Sequence, residues 1–101
     1  MPAGVFYFPE VFMKSGAEIL ISTMESFGVK TLTGIPGGAV LPIYDALSGS
    51  SIRHILARSE QGAAFIAQGM ARTTGTPAVT IATSGPGAAN LITALADAKL
   101  D

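Results

Sequence analysis

Three times along this chain a short, mainly apolar run ends in a turn of small residues, and each turn opens a helical pattern. The runs are Val29 to Gly34, Ile52 to Ala57 and Ala78 to Thr83. The turns are Gly34-Ile35-Pro36-Gly37-Gly38, Ser59-Glu60-Gln61-Gly62 and Ser84-Gly85-Pro86-Gly87-Ala88-Ala89-Asn90. Alternation of this kind selects an α/β fold, a parallel sheet with helical crossovers on both faces. Right-handed crossovers put every strand-to-helix turn at one edge of the sheet, so the three turns are expected to be neighbours. That carboxyl edge is where open α/β sheets bind ligands.

The helices around these strands follow from spacing and caps. Ser15-Gly16-Ala17-Glu18 has the capping-box arrangement. Ala17, Leu20, Ile21, Met24 and Phe27 then recur at helical spacing, which predicts a core-facing helix stopped at Gly28. A short helix is expected over Leu41 to Leu47, with Pro42 tolerated in its first turn. The next runs from about Gln61 to Thr73 and is rich in small residues, among them Ala63, Ala64, Ala67 and Gly69. Small side chains suit either tight packing on the sheet or an interface, and the pattern leaves both open. Leu91, Ile92, Leu95, Ala98 and Leu100 give a last helix an apolar side.

A chain of 101 residues makes one modest domain and is small for a complete α/β enzyme. Three strands form a thin sheet with long apolar edges, so the sequence reads as ending before its domain does. With 49% hydrophobic and 13% charged residues, its faces expect partners. A formal net charge of -1, with Arg53, Arg58 and Arg72 scattered, gives no electrostatic case for nucleic acid or an anionic membrane. The absence of cysteine excludes disulfides and thiolate chemistry. The single histidine, His54, lies inside an apolar run and reads as structural, and no cluster has metal-ligand spacing. Gly4-Val5-Phe6-Tyr7-Phe8 is too short to span a bilayer and lacks a basic flank. Residues 1–14 are expected to be an unstructured leader and residues 15–101 the domain.

The middle turn supplies a carboxylate, Glu60, while the other two supply backbone N–H groups at helix starts, suited to anions. Gly85-x-Gly87-x-x-Asn90 departs from a dinucleotide fingerprint at its third glycine and follows the third strand, not the first. Glu60 has two readings: an acid/base group, or a solvated first-turn carboxylate favoured by the helix dipole. A non-catalytic α/β module that binds an anion through its glycine loops fits the same residues.

Taken together, three stretches resemble a known family. They are Gly34-Ile35-Pro36-Gly37-Gly38 with Ile43-Tyr44-Asp45-Ala46-Leu47, then Arg58-x-Glu60-Gln61-Gly62-Ala63, then Ala82-Thr83-Ser84-Gly85-Pro86-Gly87-Ala88-x-Asn90-Leu91. In this order and spacing they resemble the large catalytic subunit of acetolactate synthase, a thiamine-diphosphate enzyme, from Ser15 to Asp101. Sister enzymes on that fold, such as other thiamine-diphosphate decarboxylases, oxidases or carboligases, are the neighbouring alternative.

The resemblance implies the first part of a three-layer, pyrimidine-binding domain, here truncated to about three strands of a six-stranded parallel sheet. Glu60 matches the catalytic glutamate, which bonds a ring nitrogen of the cofactor's aminopyrimidine and promotes the tautomer that activates the thiazolium. Gly37 and Gly38 match a glycine pair lining the reaction site. Ser84, Gly85 and Pro86 match a loop bordering the cofactor pocket. Gln61 and Ala39 match substrate-pocket positions. The reaction implied condenses two pyruvates, or pyruvate and 2-oxobutanoate, with loss of CO2, in branched-chain amino-acid biosynthesis. Burial of Glu60 against alanines and a heterocycle is expected to raise its pKa.

The resemblance also implies Mg2+ and FAD sites outside this chain, a second catalytic subunit in a homodimer or tetramer, a regulatory small subunit, and a cytoplasmic location. A chain of this length is expected to be inactive alone. One position departs from the family: Ser59 stands where histidine is usual, directly before Glu60. Serine there can cap the following helix.

Overall fold

A computed structural model describes residues 14–100. The expected leader lies outside the described residues apart from Lys14, which is exposed.

The first helix, α1 (Gly16–Ser26), starts as the capping box requires. The Ser15 N–H donates to Glu18 Oε1 at 2.8 Å, and the Glu18 N–H donates to Ser15 Oγ at 3.1 Å. Ile21 and Met24 are buried, but Leu20 and Phe27 are exposed. The buried stripe is therefore narrower than the spacing suggested, because the helix rests chiefly on its neighbour α2 (Leu41–Leu47).

Three strands, β1 (Thr31–Gly34), β2 (Arg53–Leu56) and β3 (Val79–Ile81), form one parallel sheet in the order β2-β1-β3. Each is shorter than its apolar run. Hydrogen bonds continue past the regular ladder, as from Arg53 N–H to the Lys30 carbonyl at 2.9 Å and from Ala57 N–H to the Gly34 carbonyl at 3.3 Å. The central strand alternates its faces with the period of two that a strand imposes. Leu32 packs with Ile21, Met24, Val40, Leu47, Ile52 and Ile81, and it has no exposed surface. Thr33, equally buried, turns to the opposite face. There its hydroxyl donates to the Ala63 carbonyl at 2.7 Å. The Thr80 hydroxyl in turn donates to the Thr33 carbonyl at 3.2 Å.

That second face is covered by α3 (Glu60–Thr74), packed on β1 and β3. Ser59 caps it, accepting from the Gly62 N–H at 2.9 Å. Ala63, Ala64 and Ala67 are buried beneath it, so the alanines serve close packing on the sheet. Phe65 and Ile66 are exposed, and a side chain on Gly69 would meet open space. The layers are thus helix, sheet, helix, with the two crossover helices on opposite faces.

The last helix differs from expectation. One helix was predicted after the third turn; the structure has two, α4 (Pro86–Ala89) and α5 (Ile92–Leu100), with a break at Asn90 and Leu91. Of the apolar side foreseen for it, Ile92, Leu95, Ala98 and Leu100 are exposed and Leu91 is half-buried; the buried residue is Ala94, outside that set. The helix leans on α3, where Gln68 Nε2 donates to Asp97 Oδ2 at 2.7 Å. No helix among the described residues is long and apolar enough to cross a membrane.

Candidate active site

The three turns meet at the carboxyl edge, as parallel crossovers require. The first and third turns meet at Thr83, just past β3. Its hydroxyl accepts from the Ala39 N–H at 3.2 Å, across a single 3₁₀ turn, Gly38–Val40, that follows the β1 loop. A Cβ placed on Gly37 would stand 2.5 Å from Thr83 Cβ, and one on Gly87 would stand 2.9 Å from Thr83 Cγ2. The backbone at Gly37 is extended, with φ -162°. Glycine is needed there for space and not for a left-handed conformation. Thr83 is thus a wedge between the first and third turns, seated on two bare Cα atoms.

Glu60 is the first residue of α3 and is partly buried. The Asn90 side chain, from the break between α4 and α5, donates through Nδ2 to Glu60 Oε1 at 3.0 Å. On the other side, Oε2 lies 3.3 Å from where a Cβ on Gly87 would stand. The middle turn is therefore joined to the third by a hydrogen bond and by clearance at a glycine.

The rise expected for the Glu60 pKa belongs to a carboxyl packed against a heterocycle as well as alanines. In the chain alone the Asn90 amide, and after it Glu60's own backbone N–H, hold the carboxyl below its ordinary value. Desolvation acts the other way but is the smallest cause. The alanines that were to desolvate it lie down against the sheet, while Glu60 stands at the open start of the helix. A carboxyl with a depressed folded pKa adds stability above its unfolded pKa and loses it as pH falls through the folded value. Thermal midpoints of the wild type and Glu60→Gln are expected to differ most near neutrality and to converge in acid. A gap that widens on acidification would contradict the Asn90 contact.

The remaining predicted positions surround this core unequally. Ser84, Gly85 and Pro86 are exposed on the turn that opens α4, with Gly85 at φ +71°. Ala39 is exposed, and its amide is taken by Thr83. Val40 N–H is likewise taken, by the Gly37 carbonyl at 3.0 Å, so the first turn keeps fewer free donors for an anion than its sequence suggested. Gly38 meets nothing within 4 Å of an added Cβ. Gln61 is exposed and takes no part in these contacts.

Asn90 and Thr83 stand in the third motif of the sequence, an amide and a β-branched residue flanking the glycine turn, but neither was given a role there. His54 bonds through Nε2 to the Tyr44 hydroxyl at 2.8 Å, with the rings edge-on, and burial lowers its pKa. A cavity of about 430 Å³ lies away from the edge, lined among others by Ala64, Ala67, Gln68, Thr80, Ala94 and Leu95. Among the described residues no group of three or more His, Cys, Asp or Glu is placed to hold a metal ion.

A parallel α/β sheet with helices on both faces is consistent with the family that the chain matches. The model of the family described as thiamine pyrophosphate enzyme, N-terminal TPP binding domain, matches residues 14–101, and the chain belongs to that family. Over 88 residues it is 67% identical to the acetolactate synthase isozyme 1 large subunit of Escherichia coli (strain K12), a match covering 86% of this chain and 16% of that protein. It is 55% identical over 87 residues to the isozyme 2 large subunit of the same organism, again 86% of this chain and 16% of that protein. It is 56% identical over 88 residues to an acetolactate synthase of Mycobacterium avium, covering 86% and 14%. The chain therefore spans only a small part, 14–16%, of the length of these relatives.

Proposed function

We propose that this chain is part of the pyrimidine-binding domain, residues 15–101 behind a leader of residues 1–14, of an acetolactate synthase catalytic subunit. Such an enzyme joins two pyruvates, or pyruvate and 2-oxobutanoate, with release of CO2. The observation that carries the reading is Glu60, held by Asn90 at the carboxyl edge of a parallel sheet between two glycine turns.

The residues present fit the pyrimidine half of thiamine diphosphate. A carboxyl with one oxygen engaged can exchange a proton with a ring nitrogen, and the glycine turns allow a flat heterocycle close to the backbone. When bound, that cofactor supplies the electron sink for breaking and making bonds next to a carbonyl. Glu60 is the group of this chain that holds or moves the proton, so it is assigned as catalytic. Gly37, Gly38, Ser84, Gly85 and Pro86 border the cofactor, and Ala39 and Gln61 face the substrate pocket.

Among the described residues no cluster is placed to hold the metal ion that the diphosphate half needs. Mg2+ and FAD are assigned to other parts of the enzyme, as is a second catalytic subunit. A small regulatory subunit is a further partner suggested by relatives named as large subunits. A cytoplasmic location completes the reading.

The test is pyruvate turnover with thiamine diphosphate, Mg2+ and FAD. The 101-residue chain is run beside a version extended to the length of its relatives. Activity confined to the extended protein is expected. Turnover by the short chain would overturn the assignment of the missing parts elsewhere, and turnover by neither would remove the acetolactate synthase reading.

A further inference from the structure

Asn90 stands where the chain breaks between α4 and α5, and it is fixed from both ends. Its backbone N–H donates to the Pro86 and Gly87 carbonyls at 3.0 and 3.2 Å. Its side-chain amide reaches 30 residues back to Glu60 Oε1 at 3.0 Å. The same turn provides Gly87, whose missing Cβ leaves room beside Oε2, 3.3 Å from where that Cβ would stand. One turn therefore grips one carboxyl oxygen and sets a bare Cα beside the other.

The donor's chemistry suits this task. An arginine or lysine would orient a carboxylate too, but its charge would hold the group firmly ionised. A neutral amide orients it more weakly and leaves it able to take up a proton. An amide also has no titration of its own in the working range.

We propose that Asn90 is a positioning residue: its amide fixes the rotation of the Glu60 carboxyl so that Oε2 is the oxygen presented to the nitrogen heterocycle. The proposal rests on the catalytic reading of Glu60.

Two variants test it, Asn90→Ala, which removes the donor, and Asn90→Asp, which replaces it with a like charge of similar shape. The first readout is the titration of the Glu60 carboxyl, followed by carbon-13 NMR in the 101-residue chain without cofactor. The titration is expected to rise toward the ordinary carboxylate range in Asn90→Ala and further in Asn90→Asp. The second readout is kinetic, in the extended enzyme. There Asn90→Ala is expected to lower kcat about tenfold or more while KM for pyruvate stays within about twofold, as lost orientation without lost binding predicts.

An unmoved titration in both variants overturns the proposal, and so does an unchanged kcat. Unfolding of both also overturns it, because an exposed side chain that only positions a neighbour does not hold up the fold. Glu60→Gln separates this from the underlying reading. If Glu60→Gln retains turnover, the catalytic assignment fails. If Glu60→Gln is inactive while Asn90→Ala behaves as wild type, only the role of Asn90 fails.

Discussion

Glu60→Gln is expected to lower kcat of the extended enzyme by roughly 100- to 10,000-fold, the range that a positioned proton-transfer group contributes. Glutamine keeps the length of the side chain and an oxygen to accept from Asn90, so the contact at the sheet edge persists in outline. What disappears is the capacity to exchange a proton. Binding of the cofactor should survive better than turnover, because under the proposed function its diphosphate is held elsewhere in the enzyme. Steady-state kinetics at saturating thiamine diphosphate, with cofactor affinity measured separately, checks this. Turnover within about tenfold of wild type would remove Glu60 from the mechanism.

The second large effect concerns two adjacent glycines that the sequence motif treats alike. An alanine at position 37 would place its Cβ 2.5, 2.6 and 2.8 Å from the Cβ, Cγ2 and Oγ1 of Thr83. All three side-chain atoms beyond Cα are too close, so rotating the threonine relieves nothing, and the turn itself must shift. Overpacking of this kind costs about 1–3 kcal/mol, and the upper end is expected here. That is a large share of the roughly 5–15 kcal/mol by which a small domain is stable. An alanine at position 38 meets nothing within 4 Å. Gly38→Ala is therefore expected to leave stability within about 0.5 kcal/mol of wild type. Denaturant midpoints of the two variants, measured side by side, decide the matter. Equal effects would mean that Thr83 does not seat on Gly37.

How much of this was legible beforehand depended on distance along the chain. The capping box, the alanine stripe of α3 and the strand-helix alternation are local patterns, and each reads from spacing within a few residues. The convergence of the three turns also followed, because crossover handedness leaves little choice. Position of the strands within the sheet did not: nothing in β1, β2 or β3 specifies that the first lies between the other two. Glu60 was singled out from its place on a turn, yet the downward direction of its pKa shift in the chain alone was not foreseen. That direction depends on Asn90, 30 residues away, and on which way the neighbouring alanines face. The break between α4 and α5 was missed for a related reason. The apolar spacing of Leu91, Ile92 and Leu95 continues smoothly through it, while the backbone there turns, with the Leu91 N–H donating to the Ala88 carbonyl at 3.1 Å.

Thr83 touches the first turn through Ala39 and Gly37 and the third through Gly87. The three positions 37, 83 and 87 are consequently one unit of inheritance. A methyl gained at residue 87 clashes first with Thr83 Cγ2, at 2.9 Å, and with Thr83 Cβ only at an ordinary 3.7 Å. Serine at residue 83 keeps the hydroxyl for Ala39 and removes that Cγ2, so it lifts the hardest contact to alanine at residue 87 and leaves Glu60 Oε2, at 3.3 Å, to give way. No equally simple exchange does so at residue 37. Sequence drift around this pocket is then expected to travel by paired steps on the side of the third turn and to stand still on the side of the first.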